Sequence, residues 1–137
     1  MKKLVIVGGK RLNGNIKISG SKNATLPILA ASILNQNKLV IKNIPLVKDV
    51  ETMVELLSLL GSDIKCIKRN RTIEIINSKK ISTFAPYKLV KTMRAGILVL
   101  GPLLAKYKKA KVSLPGGCAI GLRPVDIHLN ALKKLGV

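Results

Sequence analysis

The sequence predicts an α/β fold built from a repeated unit, and three observations support that prediction. Short alternating apolar runs, typical of strands, are interleaved with longer apolar runs at helical spacing. Apolar residues make up 47% of the 137 residues, which is enough for a buried core, although the chain has only two tyrosines and one phenylalanine. One order of elements also occurs twice, in residues 22–61 and again in about 92–136.

The first half of the chain predicts a strand pair, an apolar helix, a third strand and an amphipathic helix. In chain order these are residues 4–7, 16–19, 22–34, 38–44 and 49–60. Ser21 and Asn23 are the candidates for the N-cap of the apolar helix. Gly61 ends the amphipathic helix, because glycine readily adopts the left-handed conformation found at helix C-termini. Glu51 and Glu55 fall on the outer face of that helix and should be solvated.

The second half predicts a hairpin, a long helix, a strand and a final helix. In chain order these are residues 62–68, 72–76, 87–107, 111–114 and about 126–135. Residues 95–105 are apolar all round, which implies burial on every side, and Pro102 should kink or end the long helix. Asp126 is the predicted N-cap of the final helix, with Leu132 and Leu135 on its apolar face.

The two copies of the repeat end differently. In the first copy, Gly61 is followed by two predicted strands, whereas the second copy stops at Val137, one residue past the matching glycine. Repeats of this kind must be completed to pair their strand edges and to bury their apolar faces. We therefore expect the chain to be a fragment that ends within the second repeat.

The chain is strongly basic, with a formal net charge of +19 from 25 Lys+Arg and 6 Asp+Glu. Such an excess attracts nucleic acid, acidic membrane surfaces or small anionic substrates. The lysines are scattered rather than gathered on one predicted face, and no aromatic residues interleave them as stacking platforms. We therefore expect mostly solvated lysines and no nucleic-acid partner. A non-catalytic basic module that binds RNA or acidic lipid stays as an alternative from a different class.

Cysteine and histidine usage gives further expectations. Cys66 and Cys118 lie far apart in a chain without a secretory signal, which favours free thiols in a reducing cytoplasm. Cys66 shares a strand face with Ile64 and is predicted to be a small buried side chain. The lone histidine, His128, is predicted to be packed or capping, and these three residues match no zinc spacing, so no metal site is expected. The longest apolar runs fall short of the roughly 20 residues that a membrane span requires.

The most informative stretch is a glycine-rich loop over residues 113–126, with the sequence SLPGGCAIGLRPVD. Its Pro-Gly pair predicts a tight turn, and the next glycine lets backbone N–H groups approach a ligand closely. Lys22, Arg94 and Arg123 are cations at helix starts or in this loop, suited to an anion with phosphate or carboxylate groups. Positive charge nearby raises the reactivity of a thiol, so Cys118 is a candidate nucleophile or proton donor.

Three motifs carry a specific resemblance: SGSKNA at residues 19–24, KTMRA at residues 91–95 and LPGGCAIGLRPVD at residues 114–126. In these motifs the chain resembles the UDP-N-acetylglucosamine 1-carboxyvinyltransferase family, the enolpyruvyl transferases of the first committed step in peptidoglycan synthesis. The resemblance covers the whole chain and the first part of the family's length. The related shikimate-pathway transferases share the lysine–asparagine element in looser form and lack such a cysteine loop, which makes them the second candidate. A degenerate or truncated gene product without activity is also left open.

The resemblance implies an inside-out α/β barrel of repeated βαβαββ units, arranged as two domains with the substrate cleft between them. Residues 1–21 would belong to the domain completed by a further C-terminal part, and residues 22–137 would begin the other domain. The family's aspartate base for the sugar hydroxyl, and further arginines, lie beyond Val137. We therefore expect residues 1–137 alone to be poorly folded and inactive.

The resemblance also implies a reaction without a cofactor. The 3-hydroxyl of the sugar in UDP-N-acetylglucosamine adds to phosphoenolpyruvate, and phosphate is then eliminated. Lys22 and Asn23 would contact phosphoenolpyruvate, and Cys118 would donate a proton to its enol carbon and be open to alkylation by fosfomycin. The contacts to the UDP-sugar would come from Arg94, Arg123, Pro124, Val125, Asp126 and Ile127.

Overall fold

The computed structural model describes residues 3–78, 80–91, 93–114 and 125–137. The helices are α1 (Lys22–Ala31), α2 (Lys48–Leu60), α3 (Tyr87–Val90), α4 (Leu100–Tyr107) and α5 (Asp126–Lys134). The strands are β1 (Leu39–Ile41), β2 (Ser62–Ile67), β3 (Thr72–Asn77), β4 (Phe84–Ala85) and β5 (Lys111–Val112). Three short 3₁₀ segments complete the described elements: Ser32–Leu34, Lys68–Asn70 and Arg94–Val99.

The strands form two small sheets. The first has the order β1-β3-β2 with antiparallel pairing, so that Ile75 of β3 lies between Leu39 and Ile64. The second pairs β4 with β5 in parallel, with Phe84 opposite Lys111. The predicted hairpin of β2 and β3 is confirmed, and β4 is a strand that the sequence did not predict.

The core is centred on α2, which packs against α1, α3 and β2. Met53, Leu56, Leu57 and Leu60 recur at helical spacing along it and are at most 1% exposed. Gly61 follows with φ +114° and donates its N–H to the carbonyls of the last turn. The predicted amphipathic helix and its glycine end are therefore confirmed.

The start of α1 is also confirmed. Of the two candidate N-caps, Ser21 caps the helix: its hydroxyl accepts a hydrogen bond from the Ala24 N–H at 3.3 Å. The carbonyl of Ser21 accepts a second bond from the Thr25 hydroxyl at 2.8 Å. These local bonds fix where the helix begins, and they therefore fix the position of Lys22 at its first residue.

The predicted strands at residues 4–7 and 16–19 do not form in the structure. Residues 3–19 are exposed, with Leu4 85% and Val7 91% exposed. A strand requires partners for its backbone N–H and C=O groups, and the part of the chain that the structure describes pairs no strand with this segment. The sequence of these two segments favours strands, but the described part of the chain offers them no sheet to join.

The predicted long helix over residues 87–107 is also wrong. It is divided into α3, the 3₁₀ segment Arg94–Val99 and α4. The break precedes Pro102, which is the third residue of α4, a position where its missing N–H removes no intrahelical bond. Nor is the stretch buried on every side, because Val99 and Leu103 are fully buried whereas Leu98 is 38% exposed.

The final helix is present as α5, but with differences from the prediction. Its N-cap is Val125, without a side-chain cap, so Asp126 lies inside the first turn and does not cap the helix. Leu132 is half-buried as expected, whereas Leu135 is 79% exposed. None of the described helices combines the length and the apolar character that crossing a membrane requires.

Candidate functional site

The start of α1 is the best-defined part of the candidate site. Lys22 is the first residue of the helix, its side chain is 47% exposed, and Asn23 beside it is exposed. The first turn contains no acidic residue, so the partial positive charge of the helix N-terminus is not offset from within the helix. The free N–H groups there and the Lys22 ammonium are therefore suited to a phosphate or carboxylate.

Backbone packing holds this helix start against the loop that leads into α2. A Cβ atom at Gly20 would overlap the carbonyl oxygen of Asn43 and would lie 3.4 Å from Cδ of Pro45. Only glycine permits so close an approach. Asn43 itself adopts φ +58°, and the Ile44 N–H donates to the Arg71 carbonyl at 2.9 Å. The N-termini of α1 and α2 are therefore brought together by the backbone.

Across this junction, the ammonium of Lys22 forms an ion pair with Asp49, the second residue of α2. Its Nζ lies 2.8 Å from Oδ2 of Asp49, whose side chain is 41% exposed. Asp49 is not among the site residues predicted from the sequence. One signal was available, since an acid at a helix start is notable in a chain with only 6 Asp+Glu.

The residues predicted to bind the UDP-sugar lie in two other parts of the chain. Arg94 is half-buried and begins the 3₁₀ segment Arg94–Val99, which packs against α1. Val125 is half-buried, and Asp126 and Ile127 are exposed in the first turn of α5. The structure thus places the segment that begins at Arg94 against the helix that carries Lys22. That the other predicted residues lie near these two stays a prediction.

The predicted cysteine loop lies largely outside the described residues, as do the predicted site residues Cys118, Arg123 and Pro124. Their roles therefore remain predictions. In the described residues, no three His, Cys, Asp or Glu side chains are grouped so that they could hold a metal ion.

Two predictions outside the site are wrong. Cys66 is exposed rather than buried, and it lies near the end of β2, the strand that is buried at Ser62 and half-buried at Ile64. It lines a groove of about 300 Å³ between α2 and the β2–β3 hairpin. Partial desolvation raises the pKa of the Cys66 thiol, and the charge of Lys68 lowers it by less. His128 is exposed on α5 and is neither packed nor a cap.

Comparison with known proteins shows to which family the chain belongs. The family model described as EPSP synthase (3-phosphoshikimate 1-carboxyvinyltransferase) matches residues 6–137. The chain belongs to the EPSP synthase family. A relative named UDP-N-acetylglucosamine 1-carboxyvinyltransferase, from Pelagibacter ubique, is 65% identical over 137 residues, which are 100% of this chain and 32% of that protein. A relative of the same name from Coxiella burnetii is 56% identical over 136 residues, 99% of this chain and 31% of that protein.

The chain therefore spans about a third of the length of these EPSP synthase family relatives, covering 32% and 31% of them. Among solved structures, the enolpyruvyl transferase NikO from Streptomyces tendae matches with a TM-score of 0.75 and 22% sequence identity. That match covers 95% of this chain and 28% of that one, and it supports the fold alone. The predicted α/β fold of the enolpyruvate transferase type and the resemblance to the UDP-N-acetylglucosamine 1-carboxyvinyltransferases are confirmed.

Proposed function

We propose that this chain forms part of an enzyme that transfers the enolpyruvyl group of phosphoenolpyruvate to the 3-hydroxyl of UDP-N-acetylglucosamine. The observation that carries the proposal is the 65% identity, over the whole chain, to a relative named for this transfer. Phosphate is the second product, and the step would serve peptidoglycan synthesis in the cytoplasm.

Phosphoenolpyruvate binds, in this proposal, at the start of α1. The substrate carries a phosphate and a carboxylate, so it needs fixed cations and N–H donors. Lys22 supplies the charge, and Asn23 and the helix N-terminus supply hydrogen-bond donors. Support comes from the capped, acid-free first turn and from the exposure of both side chains.

The UDP-sugar is bound by Arg94 and by the residues that lead into α5. Arginine forms paired hydrogen bonds to phosphate oxygens, which suits Arg94 and Arg123 to a diphosphate. The remaining contacts come from Pro124, Val125, Asp126 and Ile127. The exposure of Asp126 and Ile127 and the packing of the Arg94 segment on α1 support this assignment.

Cys118 acts as the proton donor. As the sugar oxygen adds to C2 of phosphoenolpyruvate, the thiol proton passes to C3, and a base removes the hydroxyl proton. The resulting adduct then loses a proton from C3 and phosphate from C2, which restores the double bond. The cations around the substrate stabilise the charge that moves in both steps. By the family resemblance, the base is an aspartate beyond residue 137.

The division into two domains is part of the same proposal. Residues 1–21 join a domain completed elsewhere in the full-length protein, and residues 22–137 begin the other domain. The exposed apolar side chains of residues 3–19 support this, because they include Leu4, Val7 and Ile16 at 85%, 91% and 90% exposure. Large apolar side chains exposed in such number within one segment normally pack against something.

Nucleic acid is not a partner in this proposal, despite the net charge of +19. Base stacking needs free aromatic faces. Phe84, Tyr87 and Tyr107 are the aromatic residues of the chain, and a lysine ammonium lies 5.5–5.6 Å from the centroid of each ring. One face of each ring therefore already meets a cation of the same chain, which a stacked base on that face would have to displace.

Fosfomycin labelling of the full-length protein tests the proposal. The expected result is one covalent adduct at Cys118 and none at Cys66, with a Cys66→Ser variant as the matched control. An unlabelled Cys118 would count against the assignment. The shikimate-pathway reaction is the second candidate, because the matching family model carries that description. It predicts no cysteine adduct and turnover with shikimate 3-phosphate.

A further inference from the structure

The ion pair between Lys22 and Asp49 calls for an explanation beyond stability. Both side chains are about half exposed, at 47% and 41%, and exposed ion pairs contribute little to folding free energy. A carboxylate beside a lysine also weakens the attraction of that lysine for an anionic substrate. If charge alone mattered, Lys22 would therefore bind phosphoenolpyruvate more strongly without Asp49.

Geometry distinguishes this pair from the other ion pair at the start of α2. Lys48 and Glu51 are three residues apart on one helix, 3.3 Å from each other, with side chains 76% and 58% exposed. Lys22 and Asp49 lie on different helices and meet at 2.8 Å. The close contact of Gly20 with the Asn43 carbonyl fixes the distance between those two helix starts.

We propose that Asp49 is a positioning residue, which holds the Lys22 ammonium in the orientation that meets the phosphate or carboxylate of phosphoenolpyruvate. The inference rests on the proposed function. Lysine has a flexible stem, and a fixed carboxylate restricts the positions that its ammonium occupies. Asp49 is itself suited to this role, because a carboxylate in the first turn of α2 is stabilised by the helix dipole. Orientation before binding lowers the entropic barrier to reaction.

Steady-state kinetics of Asp49→Asn in the full-length protein test the inference. We expect kcat/KM for phosphoenolpyruvate to fall by about 10- to 100-fold, the scale of a misplaced binding group. The KM for UDP-N-acetylglucosamine and the thermal midpoint should stay unchanged. Asp49→Glu, which keeps the carboxylate, should recover part of the loss. Glu51→Gln is the matched control in the same helix turn and should behave like the parent protein.

A double-mutant cycle separates positioning from a general structural effect. If Asp49 acts through Lys22, then Asp49→Asn should cause no further loss in a Lys22→Ala background. Additive losses would overturn the inference. A phosphoenolpyruvate KM that is unchanged or lower in Asp49→Asn, with unchanged kcat, would also overturn it.

The same measurements distinguish failure of the inference from failure of the proposed function. A full-length parent protein without enolpyruvyl transfer would overturn both. An active parent in which Lys22→Ala reduces turnover and Asp49→Asn matches the parent would overturn the role of Asp49 alone.

Discussion

The two copies of the repeat share an order of elements but differ in what they bury. In the first copy, α2 buries six of its residues and packs against α1, α3 and β2. In the second copy, α5 has no fully buried residue, and Ile127 and Leu135 are 72% and 79% exposed. Both helices have an amphipathic sequence. The pattern therefore determines that a helix forms, and the packing partners determine how much that helix stabilises the fold.

Matched leucine truncations should give the largest difference between the copies. Leu57 of α2 is fully buried and Leu135 is 79% exposed. In the full-length protein, Leu57→Ala should lower the free energy of unfolding by about 2–5 kcal/mol, because it leaves a cavity. Leu135 lies on an exposed helix face in this part of the chain, so Leu135→Ala leaves no cavity there and should cost less than Leu57→Ala. Urea unfolding measures both values, and equal losses would contradict the comparison.

The polar contacts at the end of the first apolar helix should give the next largest effect. The Asn77 side chain donates to the carbonyls of Ser32 and Asn35 at 2.6 and 2.9 Å and accepts from the Ser62 hydroxyl at 2.7 Å. Asn77→Ala should cost about 1–3 kcal/mol, because it leaves these groups without that partner. Asn70 is exposed and supplies the control. In urea unfolding, Asn70→Ala should leave the free energy of unfolding nearly unchanged.

The glycines that end α2 and follow α5 test the comparison at equivalent positions. Gly61 and Gly136 have φ +114° and +84°, so alanine is strained at both, by about 1–2 kcal/mol. A Cβ at Gly61 would also lie 3.2 Å from the carbonyl oxygen of Lys80, whereas at Gly136 nothing lies within 4 Å. Thermal unfolding should therefore show a larger loss for Gly61→Ala. The reverse order would contradict the packing difference.

Cys66 should show the smallest effect on stability and a defined pH dependence. It is exposed, so Cys66→Ser should leave the thermal midpoint unchanged. Desolvation raises the pKa of its thiol, so at neutral pH less of it is thiolate than in an unstructured peptide. The rate of its alkylation by iodoacetamide should therefore increase at a higher pH than the rate for an unstructured cysteine peptide. A faster reaction than the peptide at neutral pH would contradict this.

Features that depend on neighbouring residues in the chain could be predicted from the sequence. The Ser21 cap, the spacing along α2 and its Gly61 end each rest on a few consecutive residues, and each appears in the structure. The β2–β3 hairpin follows for the same reason, because its strands are joined by a short turn. The motif at residues 19–24 likewise placed Lys22 and Asn23 correctly at a helix start.

Features that depend on distant partners could not be predicted. The segment at residues 4–7 carries a strand pattern, but pairing depends on a sheet edge that the pattern does not specify. The exposure of Cys66 depends on what covers the end of β2, which the strand pattern does not specify. The pair between Lys22 and Asp49 joins two helices through the packing of Gly20, and no spacing in the sequence indicates that contact.

The most direct test of the central claim is phosphate release by the full-length protein from phosphoenolpyruvate, with each acceptor supplied separately. We predict release with UDP-N-acetylglucosamine, formation of the enolpyruvyl sugar in equal amount, and a large but measurable reduction of both in Lys22→Ala. Release with shikimate 3-phosphate alone, or with neither acceptor, would contradict it.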